Sequence, residues 1–246
     1  FNDELLAALD GSWDSPPVLL PDWPEDPRLK ALQHRAQGLV TAFRGNEPWG
    51  WKDPRNTLTL AFWRRLFGDD LRVIVCMRSP IEAAQSISRR QVAGAPVPRA
   101  LELWQIYHET LLQFLPDNAL FTHYDSYFYD ASAELQRILD FAQLTPSAEQ
   151  FDAALDLIRA PVRREMTAPV LNNRQLPPAV QQHYTAFESY CGPVYARLMV
   201  DDAQRADTLS RNLLTLYDDW QAQKRRAESL EADLHHLLQR QQRVGA

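Results

Sequence analysis

Leu71-Arg72-Val73-Ile74-Val75-Cys76-Met77-Arg78-Ser79-Pro80 is the stretch on which the fold turns. Its near-continuous apolar run predicts a parallel strand covered on both faces, over Leu71 to Met77. Arg78-Ser79-Pro80 ends the run, and Pro80 sits where the first turn of a helix tolerates proline. Helical spacing then predicts a helix from Ile81 to Arg90. Towards the C-terminus the pattern predicts a helix over Leu101 to Phe114, a strand over Ala119 to Tyr124, and helices over Ala133 to Ala142 and Ala148 to Ile158. Towards the N-terminus, Thr57 to Phe67 and Pro27 to Phe43 have helical spacing, and Trp49-Gly50-Trp51-Lys52 reads as a short strand stopped by Asp53-Pro54. The proline- and tryptophan-rich segment Trp13 to Asp26 is expected to be irregular, because each proline removes a donor and biases its predecessor away from helix. Residues 1 to 10 are expected to form a short amphipathic helix through Leu5, Leu6 and Leu9. Strands alternating with helices predict an α/β domain with a mostly parallel sheet.

Composition bounds the function. The chain has 246 residues, 45% hydrophobic and 24% charged, proportions of an ordinary globular protein of one large domain or a domain with an appendage. No uncharged apolar run is long enough to cross a bilayer as a helix, so no transmembrane segment is expected. A net charge of -6 argues against non-specific nucleic-acid binding as the main role. The two cysteines, Cys76 and Cys191, are too few for a disulfide framework or a four-thiolate metal site. Phe1-Asn2-Asp3-Glu4-Leu5-Leu6 has no basic region followed by an apolar stretch, so a cytoplasmic location is expected. The chain does not begin with Met, which fits either a processed chain or one that starts inside a longer protein. Seventeen prolines stand against eight glycines, so a glycine-built phosphate loop is hard to find.

The last segment follows a different period. Leu209, Leu216, Gln223, Leu230, Leu237 and Val244 fall on one heptad position and Leu213, Trp220, Ala227, Leu234 and Gln241 on the other. Such a repeat predicts a long helix with a coiled-coil seam, through which the chain self-associates or joins another domain, or a helix packing back on the domain. The expected division is therefore an α/β domain over 1–200 and a helical extension over 201–246.

Chemistry is expected at the ends of the strands. In parallel α/β sheets ligands sit at the carboxyl ends of the strands, often against a helix N-terminus that favours an anion. Lys52 ends the first expected strand, Arg78 the second, and Tyr124-Asp125 the third. Ser86 follows Arg78 by eight residues and Arg90 lies one turn beyond on the same helical face. An arginine fork with a hydroxyl suits a phosphate monoester. The histidines show no ligand spacing apart from the adjacent His235-His236, and no metal is expected.

Taken in order, Trp49-Gly50-Trp51-Lys52-Asp53-Pro54-Arg55, the Val73 to Pro80 block with Ser86, and Tyr124-Asp125-Ser126-Tyr127 resemble the sulfotransferase family, its bacterial members above all. The tyrosylprotein sulfotransferases share the Lys-Asp-Pro block. The resemblance extends from Phe1 to Arg164. It implies a P-loop-like α/β fold that binds 3'-phosphoadenosine 5'-phosphosulfate (PAPS) and passes its sulfuryl group to a hydroxyl or amine, on a carbohydrate or other glycoconjugate. It implies that Arg78 and Ser86 hold the 3'-phosphate with help from Arg90, that Tyr124 lies near the nucleotide, and that Lys52 stabilises charge at the phosphosulfate bridge. The family's first strand and its Ser/Gly/Thr-rich loop have no counterpart here, so the expectation is a truncated domain whose general base is missing. Asp3 and Glu4 are better read as helix N-terminal charges than as substitute bases. Two alternatives stay open: a P-loop kinase relative using ATP, and a degenerate interaction module working through the C-terminal helix.

Overall fold

The computed structural model describes residues 1–43, 45, 48–89, 96–158 and 176–208, together with 211, 212, 215 and 226. The chain divides into two compact units, Phe1–Leu198 and Met199–Ala246. The first is α/β in a coarse sense, mostly helical around a two-stranded parallel sheet.

In the first unit, α1 (Asn2–Ala8) is too short to be stable alone. It is held because Leu5 and Leu6 are fully buried, each such side chain contributing about 1.5–3 kcal/mol. An irregular stretch with two 3-10 turns, Trp23–Glu25 and Pro27–Leu29, leads into α2 (Lys30–Phe43). Leu5, Leu9, Trp23, Leu29, Leu32, Ala36, Phe62 and Trp63 form one core between α1, α2 and α3 (Asn56–Phe67).

Strand β1 (Ile74–Met77) pairs in parallel with β2 (Leu120–His123), in the register Ile74 to Leu120 and Met77 to His123. Between them the chain runs through α4 (Pro80–Arg89) and α5 (Val97–Phe114). After β2 come α6 (Ser126–Tyr129), α7 (Ala131–Ala142), α8 (Ala148–Leu157) and α9 (Pro178–Glu188), and residues 192–198 are again helical. Asp130 caps α7 by accepting from the Ala133 amide, and Ser147 and Gln150 form a reciprocal capping box on α8.

Three expectations are corrected. Trp49 to Lys52 form no strand. Trp49 stacks on Phe43 at 4.9 Å and Trp51 packs edge-on to Trp63 at 5.2 Å, while the Trp51 indole donates to Asn56 Oδ1. The alternation that resembles a strand serves a ring cluster at the entrance to α3. Strand β1 starts at Ile74, not Leu71, and one of its faces is open: Val75 and Met77 are buried, whereas Ile74 is 41% exposed and Cys76 is exposed. Helix α9 answers to no expected element, and α5 begins four residues before the expected Leu101.

In the second unit, residues 199–208 are helical, as are 211, 212, 215 and 226. Thr208 donates to the Gln204 carbonyl and Thr215 to that of Arg211, while Arg211 pairs with Asp207. The heptad positions from Leu209 to Val244 lie outside the described residues.

Among the described residues no helix is long and apolar enough to cross a membrane.

Candidate functional site

The parallel register sets the site. With Met77 opposite His123, the next residues, Arg78 and Tyr124, leave their strands side by side on the same face. The Tyr124 amide donates to the Met77 carbonyl at 2.8 Å, and the Arg78 guanidinium lies 4.8 Å from the centroid of the Tyr124 ring. That is cation–π distance. Two residues expected at separate strand ends are thus in contact.

Lys52 reaches the same neighbourhood from the loop before α3. Cys76 stands exposed on the open face of β1, yet the protein packed around it desolvates its thiol and raises the pKa; Glu134 adds to the rise, while Lys52 and Arg78 oppose it. Both cations therefore act on one sulfur. The backbone that carries Lys52 is firmly anchored. Asp53 accepts two bonds from Arg55 and one from Asn2, and its carboxylate also closes a turn onto the Arg55 amide. Burial works to raise the Asp53 carboxyl, but these donors outweigh it and hold the pKa below its usual value. Asn2 is buried with both ends of its amide engaged: Nδ2 donates to Asp53 and Asn56, and Oδ1 accepts from Thr59 and Trp63.

Glu82 is the residue that sequence reasoning missed. Its carboxylate is buried on α4 and takes Arg78 Nε at 3.2 Å. Arg78, Glu82 and Ser86 follow at intervals of four, so Glu82 stands between the two residues expected to share a phosphate. That spacing was available in the sequence. Nη1 and Nη2 of Arg78 make no hydrogen bond to a described residue, so the fork keeps donors for an anion. Ser86 is half-buried on α4, and Arg90 lies outside the described residues, as do Arg163 and Arg164. Asp3 pairs with Arg55 and Glu4 with Arg35, so both first-turn carboxylates of α1 are engaged structurally.

Beyond Arg78 and Tyr124 the wall is polar. Thr122 donates to the fully buried Glu134, which Arg137 Nη2 meets at 2.6 Å. Burial pushes the neighbouring Tyr127 phenol up to about 12. Two surface clefts lie elsewhere, one lined by Gln33, Gln37, Phe62 and Arg65 and one beside Trp23. Among the described residues no group of three or more His, Cys, Asp or Glu side chains could hold a metal ion.

Comparison with family models, curated proteins and solved structures finds no match to this chain.

Proposed function

We propose that the chain is a PAPS-dependent sulfotransferase of P-loop-like fold, moving a sulfuryl group to a hydroxyl or amine on a carbohydrate or other glycoconjugate. The observation that carries this reading is the Arg78–Tyr124 pair at the carboxyl ends of two parallel strands, with Lys52 acting on the same Cys76 sulfur. Carboxyl ends of parallel strands are where such sheets bind ligands. The guanidinium presents two NH2 groups for the 3'-phosphate, with the Ser86 hydroxyl on the following helix, and the adenine side of the ligand meets the Tyr124 ring. Lys52, a compact point charge on a flexible stem, supplies positive charge where negative charge grows on the bridging oxygen. Sulfuryl transfer is an in-line displacement with charge spread over peripheral oxygens, so positioning and electrostatics carry most of the rate.

Calorimetry with adenosine 3',5'-bisphosphate and adenosine 5'-phosphate tests the assignment. The bisphosphate is expected to bind more tightly, and Arg78→Ala to reduce that binding by about 1.5–3 kcal/mol, the range for a charged hydrogen-bond partner. Equal binding of the two nucleotides overturns it.

A further inference from the structure

His123 closes β2 and is completely buried, and the reaction proposed above uses no atom of it. Its ring is nevertheless held at both nitrogens. The Asp125 amide lies 3.1 Å from Nδ1. A backbone amide only donates, so Nδ1 is the bare nitrogen and the proton of the neutral ring sits on Nε2. Nε2 lies 2.9 Å from Tyr184 Oη and donates to it. The Tyr184 hydroxyl lies 3.4 Å from Tyr195 Oη, which donates in turn to the Glu188 carboxylate. The Tyr195 ring also packs on the imidazole, centroids 4.0 Å apart. Four side chains form one line of bonds that all donate in the same direction, from the sheet towards half-buried Glu188. Burial raises the Tyr184 and Tyr195 phenols, so both keep the protons that the line requires.

The bond at Nδ1 spans Tyr124. The Tyr124 amide is fastened to Met77 and the next amide, Asp125 N–H, is fastened to His123, so the turn that carries the Tyr124 ring over to Arg78 is pinned on both sides. The Asp125 carboxylate, 3.7 Å from Nδ1, is outside hydrogen-bond distance and does not replace the amide.

We propose that His123 is a positioning residue for the anion site: its Nδ1 fixes the turn that sets Tyr124 against Arg78, and the Tyr184–Tyr195–Glu188 line fixes the tautomer that leaves Nδ1 able to accept. The ligand half of this inference rests on the sulfotransferase reading, whereas the turn does not.

Asparagine and glutamine separate the two nitrogens. The Asn Oδ1 falls where Nδ1 is and accepts from the Asp125 amide. The Gln amide reaches instead towards Tyr184 and leaves the Asp125 amide without its acceptor. In the full chain, His123→Asn is expected to keep slow hydrogen exchange at Asp125 and to bind adenosine 3',5'-bisphosphate within about threefold of the parent, while His123→Gln exchanges and dissociates about tenfold faster, the loss of one hydrogen bond. Tyr184→Phe, which keeps the imidazole but removes the acceptor of Nε2–H, is expected to shift both readouts the same way by about threefold. It serves as the second variant if His123→Gln folds poorly. Exchange at Asp125 that is the same in all variants overturns the inference, as does bisphosphate binding that falls equally in His123→Asn and His123→Gln. If exchange separates the variants as expected but the parent binds no bisphosphate, the turn assignment stands and the sulfotransferase reading fails.

Discussion

Arg78 and Glu82 form an ion pair of unequal burial: the Glu82 side chain is 1% exposed and that of Arg78 27%, with Nε 3.2 Å from Oε2. The carboxylate is buried in the fold, and the guanidinium bridges it to the surface. Removing the cation leaves a buried charge without its guanidinium, whereas neutralising the anion in place does not. Arg78→Met is therefore expected to cost about 3 kcal/mol in urea unfolding, near the lower figure for breaking a buried pair. Glu82→Gln keeps the volume and is expected to cost about 1 kcal/mol while tightening bisphosphate binding severalfold, since the fork loses its competing anion. A weaker affinity in Glu82→Gln would contradict this arrangement.

Asn2 ties α1 to Asp53 of the Lys52 loop by one bond and to α3 by three more, to partners 51 to 61 residues away in sequence. Asn2→Ala strands the Trp63 indole donor in the interior, whereas the Thr59 hydroxyl keeps the Arg55 carbonyl as its acceptor. The expected loss is about 2–3 kcal/mol, read as a lower urea midpoint with an unchanged slope.

Two glycines should respond in opposite directions. Gly192 has φ +86°, and a Cβ there would stand 2.8 Å from Arg137 Cζ. Gly192→Ala is expected to destabilise by about 1–3 kcal/mol, through strain and through displacement of the arginine that binds Glu134. Gly38 lies inside α2 with nothing within 4 Å of a Cβ, so Gly38→Ala is expected to stabilise by about 0.5–1 kcal/mol. Thermal unfolding of the two variants checks both signs.

Stability should also fall with acid through His108. Burial lowers its pKa to about 4, with the bond to the Trp104 carbonyl opposing and His183 adding. The ring is stacked on Trp104 at 3.9 Å. A folded pKa below the unfolded one means that the unfolded chain binds the extra proton first. The contribution is thus complete above pH ~6.5 and lost as pH falls towards 4, on the order of 2–3 kcal/mol. His108→Phe is expected to flatten urea stability over that window.

How much of this could be read from the residues varies with distance along the chain. The β1–α4 unit was legible, because an apolar run followed by Arg-Ser-Pro admits few other structures. The neighbouring of Arg78 and Tyr124 follows from two strand ends and a parallel register, and the strand ends were legible. The exposure of Ile74 and Cys76 was not, since an apolar run looks alike whether one face is covered or two. Trp49 and Trp51 alternate as a strand does, and only the positions of Phe43, Trp63 and Phe67 reveal that the alternation feeds a ring cluster. Glu82 was legible by its spacing of four from Arg78. His123 was hidden, because Tyr184, Tyr195 and Glu188 lie more than sixty residues downstream and nothing local marks the connection.

The sheet, finally, has two unlike flanks. The Leu120 and Tyr124 amides bond to β1, so the Phe121 carbonyl points away from it, and there Arg137 Nη2 occupies it at 2.6 Å while also reaching the Cys191 carbonyl. A guanidinium held by a buried glutamate is not easily displaced, so that flank is sealed against lateral growth. The outer edge of β1 carries no such stopper among the described residues, with Ile74 and Cys76 exposed beside it. Among the described residues the edge left open to a further strand is that of β1, and a strand that joined it there would lie alongside the residues that lead to Arg78.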